Sequence, residues 1–505
     1  MKKLIFAALL MIMPFSAALV QAQDTLIPNQ TVTGSVPQNG SSTWRFQAYT
    51  GGVMSFLVEG LDGFDPIMTL SDASGRELTG NDDFDYPDNA DALLEAVTLT
   101  RTNVYVITIS GYGGSGGDYR LTMMAGYARS IPFSAEDRWQ AANPALTVTV
   151  ETSADGVRMA LQDTTASTAL AYNTTLTPLT DFYLQARVQS VASNDGWIVA
   201  AALRRTGNTY YLLEFNHLGR WRFSAVNSGT PRVIRDWTPH PNIVAGTTQF
   251  TFGVIARGAG FDVFYNGGFV GGVSDASISE GGAVGLGIGT TSSLISSTRA
   301  QFDNLLITVP YRDDGSIIIP QRVIVGDAAI MSLALQRTHV VSPVGELALT
   351  VPAVTVEYAR AGINRQMVGQ GTTYSSFALG AQVTLQQSSI GVGGCGLVVR
   401  SRGDANYTLL YFDSSGGYGV SQRTVDRFLP GLFGSEPRFA TAPGTTGRHH
   451  MLVIADGETM YYYLDGFLVG TVANPPQMGE IGAAVVNFDS TVTSCSFADL
   501  WLWRW

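Results

Sequence analysis

The feature that most constrains the fold is a twenty-residue stretch that occurs twice. Residues 254–273 read VIARGAGFDVFYNGGFVGGV and residues 453–472 read VIADGETMYYYLDGFLVGTV, and the two superpose without a gap. Each has the form strand, turn, strand, turn, strand. Arg257-Gly258 marks the first turn of one copy and Asn266-Gly267 its second; Asp465-Gly466 stands at the second turn of the other. Asn-Gly or Asp-Gly between apolar runs signals a tight hairpin, because a type I′ turn needs positive φ at both central residues. A repeat on this scale predicts one β module used twice.

The repeat extends on both sides of the hairpins. Residues 182–188 (FYLQARV) alternate apolar and polar and match residues 377–383. Residues 210–223 match 407–420 without a gap, 282–285 match 479–482, and 302–306 match 497–501. Upstream of both copies, residues 43–46, 53–58, 65–70, 104–109 and 119–122 read as further short strands. Short strands at regular spacing with turn signals, and no helical period beyond a turn or two, predict sandwiches. The expected fold is all-β, with three consecutive sandwich domains at 24–127, 128–312 and 313–505. The connection at 309–315 is short, so the second and third should be neighbours rather than beads on a long string.

Residues 1–22 are expected to be a signal peptide. Lys2 and Lys3 precede an apolar run that Pro14 interrupts, and Val20-Gln21-Ala22 is a small-x-small cleavage site. No second apolar run is long enough to span a bilayer. The expectation is a protein secreted by a bacterium or held at its surface, with no transmembrane anchor after cleavage. Beyond Ala22 the chain has no lysine, which excludes Schiff-base chemistry. It carries 28 arginines against 41 acids, a formal charge of −13. That balance disfavours nucleic acid and anionic membranes as partners.

The first unit resembles the bacterial pre-peptidase C-terminal domain. The resemblance rests on the Phe strand, Asp65-Pro66 before an apolar strand, the D-x-x-G turn at 72–75, Asn81-Asp82-Asp83, and the closing Gly-Asp-Tyr-x-Leu at 117–121. It implies a small jelly-roll sandwich of the kind appended to secreted enzymes, although no peptidase motif follows here. The second and third units resemble concanavalin A-like, laminin-G-like jelly rolls. The matching parts are the strand before an Arg-rich turn, the Y-x-L-x-F strand, the N-G/D-G hairpin, the G-x-x-G step and the terminal F-D/A-N/D-L. This resemblance implies jelly-roll architecture and a binding role, and brings no ligand motif with it.

Catalytic constellations are missing from the sequence. Glycosidases of this architecture carry alternating carboxylates, E-x-D-x-x-E, which places nucleophile and acid on one face of a strand. Glu214 stands alone among Tyr and Leu, and Tyr411 occupies its place in the repeat. The five histidines show no H-E-x-x-H or other metal spacing and read as surface or strand-end residues. A G-x-S-x-G elbow is also absent.

Two features stand out as binding candidates. Asp65, Asp82, Asp83, Asp85 and Asp88 belong to a crowded acidic run, the kind of oxygen-rich set that calcium takes. The competing reading is a solvated acidic surface, since the run has no EF-hand spacing. The second feature is aromatic. Tyr210 and Trp237, with Arg220 nearby, and Tyr407 and Tyr411 in the repeat, could stack on sugar rings and hydrogen-bond their hydroxyls. Trp221 with Tyr418, and Leu306 with Trp501, share apolar character at matched positions and read as core. The expected function is non-catalytic recognition of extracellular glycan or a surface polymer. A secreted carbohydrate-active hydrolase or a structural adhesion protein are the alternatives.

The only cysteines, Cys395 and Cys495, both lie in the third unit and align with Val199 and Ala300 of the second. An exported protein with two cysteines usually pairs them. A disulfide between two strands is therefore expected, with two buried free thiols as the alternative.

Overall fold

The structure, a computed structural model, describes residues 25–85, 89–132, 138–142, 147–153, 156–164, 166–312, 316–318, 322–323, 335, 338, 340–342, 345–369, 371–388, 390–425, 427–473 and 478–505. The signal peptide at 1–22 and Asp88 lie outside the described residues. Strands dominate throughout, in six antiparallel sheets that pack as an all-β, jelly-roll architecture. No helix among the described residues is long and apolar enough to cross a membrane.

The first unit stacks two sheets. One has the order Gln30–Val36, Gly117–Ala125, Gly52–Gly60, Ala92–Leu99. The other has the order Ser41–Ala48, Asn103–Gly111, Pro66–Asp72, Glu77–Asn81, with Arg322–Val323 added at its edge. Alternation along Ser41–Ala48 sends Trp44, Phe46 and Ala48 inward, onto Phe56, Val58 and Leu121 of the facing sheet. The D-x-x-G motif is a turn that Asp72 holds, accepting from the Ser74 and Arg76 amides at 2.9 and 3.1 Å.

The second and third units repeat one plan. In the second, Ile198–Thr206, Thr209–Asn216, Arg220–Asn227 and Thr230–Pro239 follow each other in one sheet, beside Ala283–Gly289 and Thr168–Asn173. The facing sheet joins Ser296–Val309, Phe182–Ser193, Phe250–Arg257, Gly260–Tyr265 and Gly268–Ser274. In the third, Gly393–Ser401, Asn406–Asp413, Ser415–Thr424 and Arg427–Ala440 face Thr493–Arg504, Phe377–Gln387, Thr446–Asp456, Thr459–Leu464 and Phe467–Ala473. The organising hairpin is present in both copies. Tyr265 pairs with Gly268 across Asn266-Gly267, whose φ values of 49° and 77° are those of a type I′ turn. Trp221 and Trp501 are fully buried.

A device absent from the sequence reading joins turn to sheet in both copies. Arg204 and its match Arg400 sit near the end of a strand, where the ladder slips register, at φ 52° and 51°, and turn their guanidinium groups inward. Arg204 donates to the carbonyls of Thr180, Ile278 and Gly258 at 2.7–3.0 Å. Arg400 donates to Ser375 and Gly457 at 3.2 and 3.0 Å. Each lies against the G-x-x-G step: a methyl on Gly282 or Gly479 would approach the Arg204 or Arg400 carbonyl carbon within 2.4 or 2.3 Å. The close approach explains why glycine opens that motif twice.

Cys395 and Cys495 are joined by a disulfide with a Cα–Cα distance of 5.6 Å. It links the two sheets of the third unit across its core, from Gly393–Ser401 to Thr493–Arg504.

The second and third sandwiches each pack against the first. Val53, Ala96 and Tyr127 meet Tyr183, Ile255 and Phe264 between the first and second units. Ile317, Leu335 and Val341 lie over Trp501 and Trp503, so these tail rings face the chain itself. Arg322–Val323 pairs with Thr79–Gly80 of the first unit. Ile317, Ile318 and Arg322–Val323 thus serve this junction, and the third sandwich has a strand of its own at Glu346–Tyr358.

Candidate functional site

Alternation along Thr209–Asn216 separates two faces. Tyr211, Leu213 and Phe215 enter the core, so Tyr210, Leu212 and Glu214 face outward. On the next strand Trp221, Phe223 and Ala225 point in, leaving Arg220 and Arg222 on the outer face. Trp237 comes from the following strand, its ring 4.6 Å from the Arg222 guanidinium. Three of the sequence candidates, Tyr210, Arg220 and Trp237, therefore share one face. Arg220 is exposed, and Tyr210 and Trp237 are half-buried.

The floor of this face is apolar: Leu170, Tyr172, Ala200, Ala202 and Leu212 pack together, with Tyr210 against them. Arg205 lies 3.7 Å from the centre of the Tyr172 ring. Sequence reasoning missed the polar centre. Glu214 is buried, accepts from Arg222 at 2.6 and 2.7 Å, and accepts from Thr168 at 3.1 Å. Burial pushes its carboxyl above the usual range, and Arg222 pulls it back down. The signal was cross-strand register, since Glu214 sits opposite Arg222.

Tyr407 and Tyr411 occupy the matching face of the third unit, but differently. They are only 7% and 6% exposed, packed with Val398, Leu409, Ala484 and Val486. Arg365 covers the Tyr407 ring at 4.2 Å. Gly419 stands opposite Tyr411, where the second unit has the Arg222–Glu214 pair. The exposed aromatics here are Phe433, opposite Gly419, and Phe428 and Phe488, whose rings lie 6.4 Å from Tyr407 and 5.6 Å from Tyr411; the sequence reading singled out none of the three.

The acidic run sits at the junction of the first and third units. Arg448 donates to Asp82 at 2.8 Å and to Asp83 at 2.7 Å, and stacks 4.3 Å from the Tyr112 ring. Arg312 pairs with Asp85 at 2.6 Å. Burial raises the Asp65 carboxyl and lifts Asp83 to about 7, with Arg448 opposing in both cases. The carboxylates meet arginines, and among the described residues no group of three or more His, Cys, Asp or Glu is placed to hold a metal ion.

His449 and His450 are buried at the same junction rather than at the surface. The ring of His449 packs 4.7 Å from Phe412, with Nδ1 2.8 Å from the Asp465 carboxylate. Burial lowers His450 to about 4.

Comparisons with known proteins give fold likeness alone. No protein-family model matches the chain, and no curated protein does. Among solved structures, a carbohydrate-binding module from Bacillus subtilis is matched over 35% of this chain and 100% of its own, at 17% identity and a TM-score of 0.28. The pre-peptidase C-terminal domain of a Bacillus anthracis collagenase is matched over 20% of this chain and 93% of its own, at 13% identity and a TM-score of 0.17. Two consecutive LG domains of mouse laminin α1 are matched over 68% of this chain and 86% of their own, at 12% identity and a TM-score of 0.21.

Proposed function

We propose that this is an exported, non-catalytic binding protein of bacterial type that recognises extracellular glycan through the outer face of its second sandwich. One observation carries the reading. Tyr210, Arg220 and Trp237 share a face whose centre is the Arg222–Glu214 pair. Aromatic rings supply apolar contact for the faces of sugar rings, and the charged pair supplies fixed donors and acceptors for hydroxyls.

The same face supports binding over hydrolysis. Glycosidic cleavage needs two carboxylates roughly 5–10 Å apart. The outward residues near Glu214 on its own and adjacent strands are Tyr210, Leu212 and Asn216, Ile198, Ala200 and Ala202, and Arg220, Arg222 and Ser224, with no second acid among them. Glu214 itself is held by Arg222 and Thr168.

A glycan array and a polysaccharide-hydrolysis screen on the same purified, exported protein test the reading. Saturable binding without turnover is expected. Turnover of any polysaccharide contradicts the non-catalytic part, and failure to bind any glycan moves the protein to a structural or adhesive role.

A further inference from the structure

The two jelly rolls present the same turn to very different surroundings. In the third unit, Asp465-Gly466 is capped by the chain: the Ile317 amide donates to the Gly466 carbonyl at 2.9 Å. A methyl on Gly466 would meet the Ile317 carbonyl oxygen at 1.9 Å. Beside it, Arg448 holds the Asp82-Asp83 pair. What is left there is a space of about 40 Å³ between Gln382, Arg448, His450 and Asp465 on one side and Asn81, Asp83, Phe84 and Ile317 on the other. In the second unit the matching turn is Asn266-Gly267, and a methyl on Gly267 would meet nothing within 4 Å. There the same place is a cleft of about 380 Å³. Its walls are Arg187, Gln189, Gln249, Thr251 and Asn266, over buried Val188 and Phe250. Arg187, Gln249, Thr251 and Asn266 are the repeat partners of Gln382, Arg448, His450 and Asp465.

We propose that this cleft is a second saccharide site, for a neutral sugar about the size of a disaccharide. The volume falls within the roughly 300–1,000 Å³ of ligand clefts. The chemistry selects against charge. The arginine that receives the acidic pair in the third unit is Gln249 here. The cleft's own cation, Arg187, is engaged with both oxygens of Asp303 at 2.6 Å. Gln189, Gln249, Thr251 and Asn266 are neutral and offer both donors and acceptors, as hydroxyl-rich ligands require. The turn is tied to its strand: the Asn266 side-chain oxygen accepts from the Thr251 amide at 2.8 Å. The inference rests on the glycan reading and gives it a second point of attachment on the same sandwich.

Calorimetric titration of the full exported protein with neutral hexasaccharides of β-1,4-glucose, β-1,3-glucose and β-1,4-galactose tests it. Gln189 and Gln249 are exposed, so the double variant Gln189→Ala/Gln249→Ala and the blocking variant Gln249→Trp should keep the wild-type melting temperature. The expected result is two sites per chain for at least one hexasaccharide. The glutamine variants should weaken one site at least tenfold, and Trp237→Ala should weaken the other. If the glutamine variants bind like wild type while Trp237→Ala abolishes binding, the cleft proposal is wrong and the outer-face reading stands. If the glutamine variants lose binding and Trp237→Ala does not, the cleft stands and the outer face falls. Binding of none of the three sugars by wild type overturns the cleft proposal.

Discussion

The second and third sandwiches share their backbone devices and differ where their surfaces meet something else. Both bury an arginine at positive φ before the G-x-x-G step. Both place an Asx residue at positive φ in the last strand, Asn304 at 46° and Asp499 at 47°, where the ladder slips register. The differences lie elsewhere. The second unit has Val199 and Ala300 where the third has a disulfide. It has Arg222–Glu214 on its outer face where the third has Gly419 and Tyr411. It has an open cleft where the third docks on the first unit. Geometry fixes the shared positions, and the partner of each surface fixes the others.

The largest expected effect tests the disulfide. Replacing Cys395 and Cys495 by Ala, or reducing the bond, should destabilise the third unit by up to roughly 4–5 kcal/mol, an upper figure from loop-closure entropy. The second unit should unfold as before, read by hydrogen exchange of each unit. Conversely, Val199→Cys/Ala300→Cys should form the missing bridge and raise the second unit's stability. A shared loss across both units would contradict a role for the bond confined to the third unit.

Next come the buried arginines. Arg204→Met strands the Thr180, Ile278 and Gly258 carbonyls, removes the 3.6 Å ion pair with Asp181 and should cost about 2–4 kcal/mol; Arg400→Met, where the bonds to Ser375 and Gly457 are longer at 3.2 and 3.0 Å, should cost less. Urea unfolding of each variant gives the order, and the reverse order would break the comparison.

The junction of the first and third units should respond to pH through two opposed groups. Asp83 has its folded pKa raised to about 7 by burial, so its contribution is present below about 4 and fades as pH rises toward 7. His450 has its folded pKa lowered to about 4 by burial, so its contribution is present above about 6.5 and fades as pH falls toward 4. Between pH 4 and 6.5 the two slopes oppose each other. Asp83→Asn should therefore leave stability rising with pH across this window, and His450→Gln should leave it falling. Parallel slopes in the two variants would refute the assignment. The facing groups that set these slopes are Arg448, Asp65, Asp82 and Asp465.

The smallest effect concerns calcium. Because Arg448 and Arg312 already hold Asp82, Asp83 and Asp85, millimolar calcium against chelator should leave the melting temperature unchanged. A rise with the logarithm of calcium concentration would show a cation site in the acidic run.

Much of the fold was legible because turns and alternation are local. Asn266-Gly267 announced its hairpin, and alternation at 182–188 marked a half-buried strand that sends Phe182, Leu184, Ala186 and Val188 into the core. The cysteines could be placed because their repeat partners, Val199 and Ala300, are apolar. What stayed hidden depends on long-range neighbours. The Asp82–Arg448 pair spans 366 residues, and no local pattern couples them. Tyr407 and Tyr411 read as open rings, yet Arg365 and the apolar packing around them cover both. Glu214 read as a lone acid because its partner lies across the ladder, eight residues on.

The most direct test of the glycan reading is the affinity of the purified protein for a glycan found on the array, measured for wild type, Trp237→Ala and Tyr411→Phe. Trp237→Ala should weaken binding by about tenfold to a hundredfold, as loss of an aromatic anchor does. Tyr411→Phe, on the packed face of the third unit, should leave it unchanged. Equal affinity in all three proteins would contradict recognition through the outer face of the second sandwich.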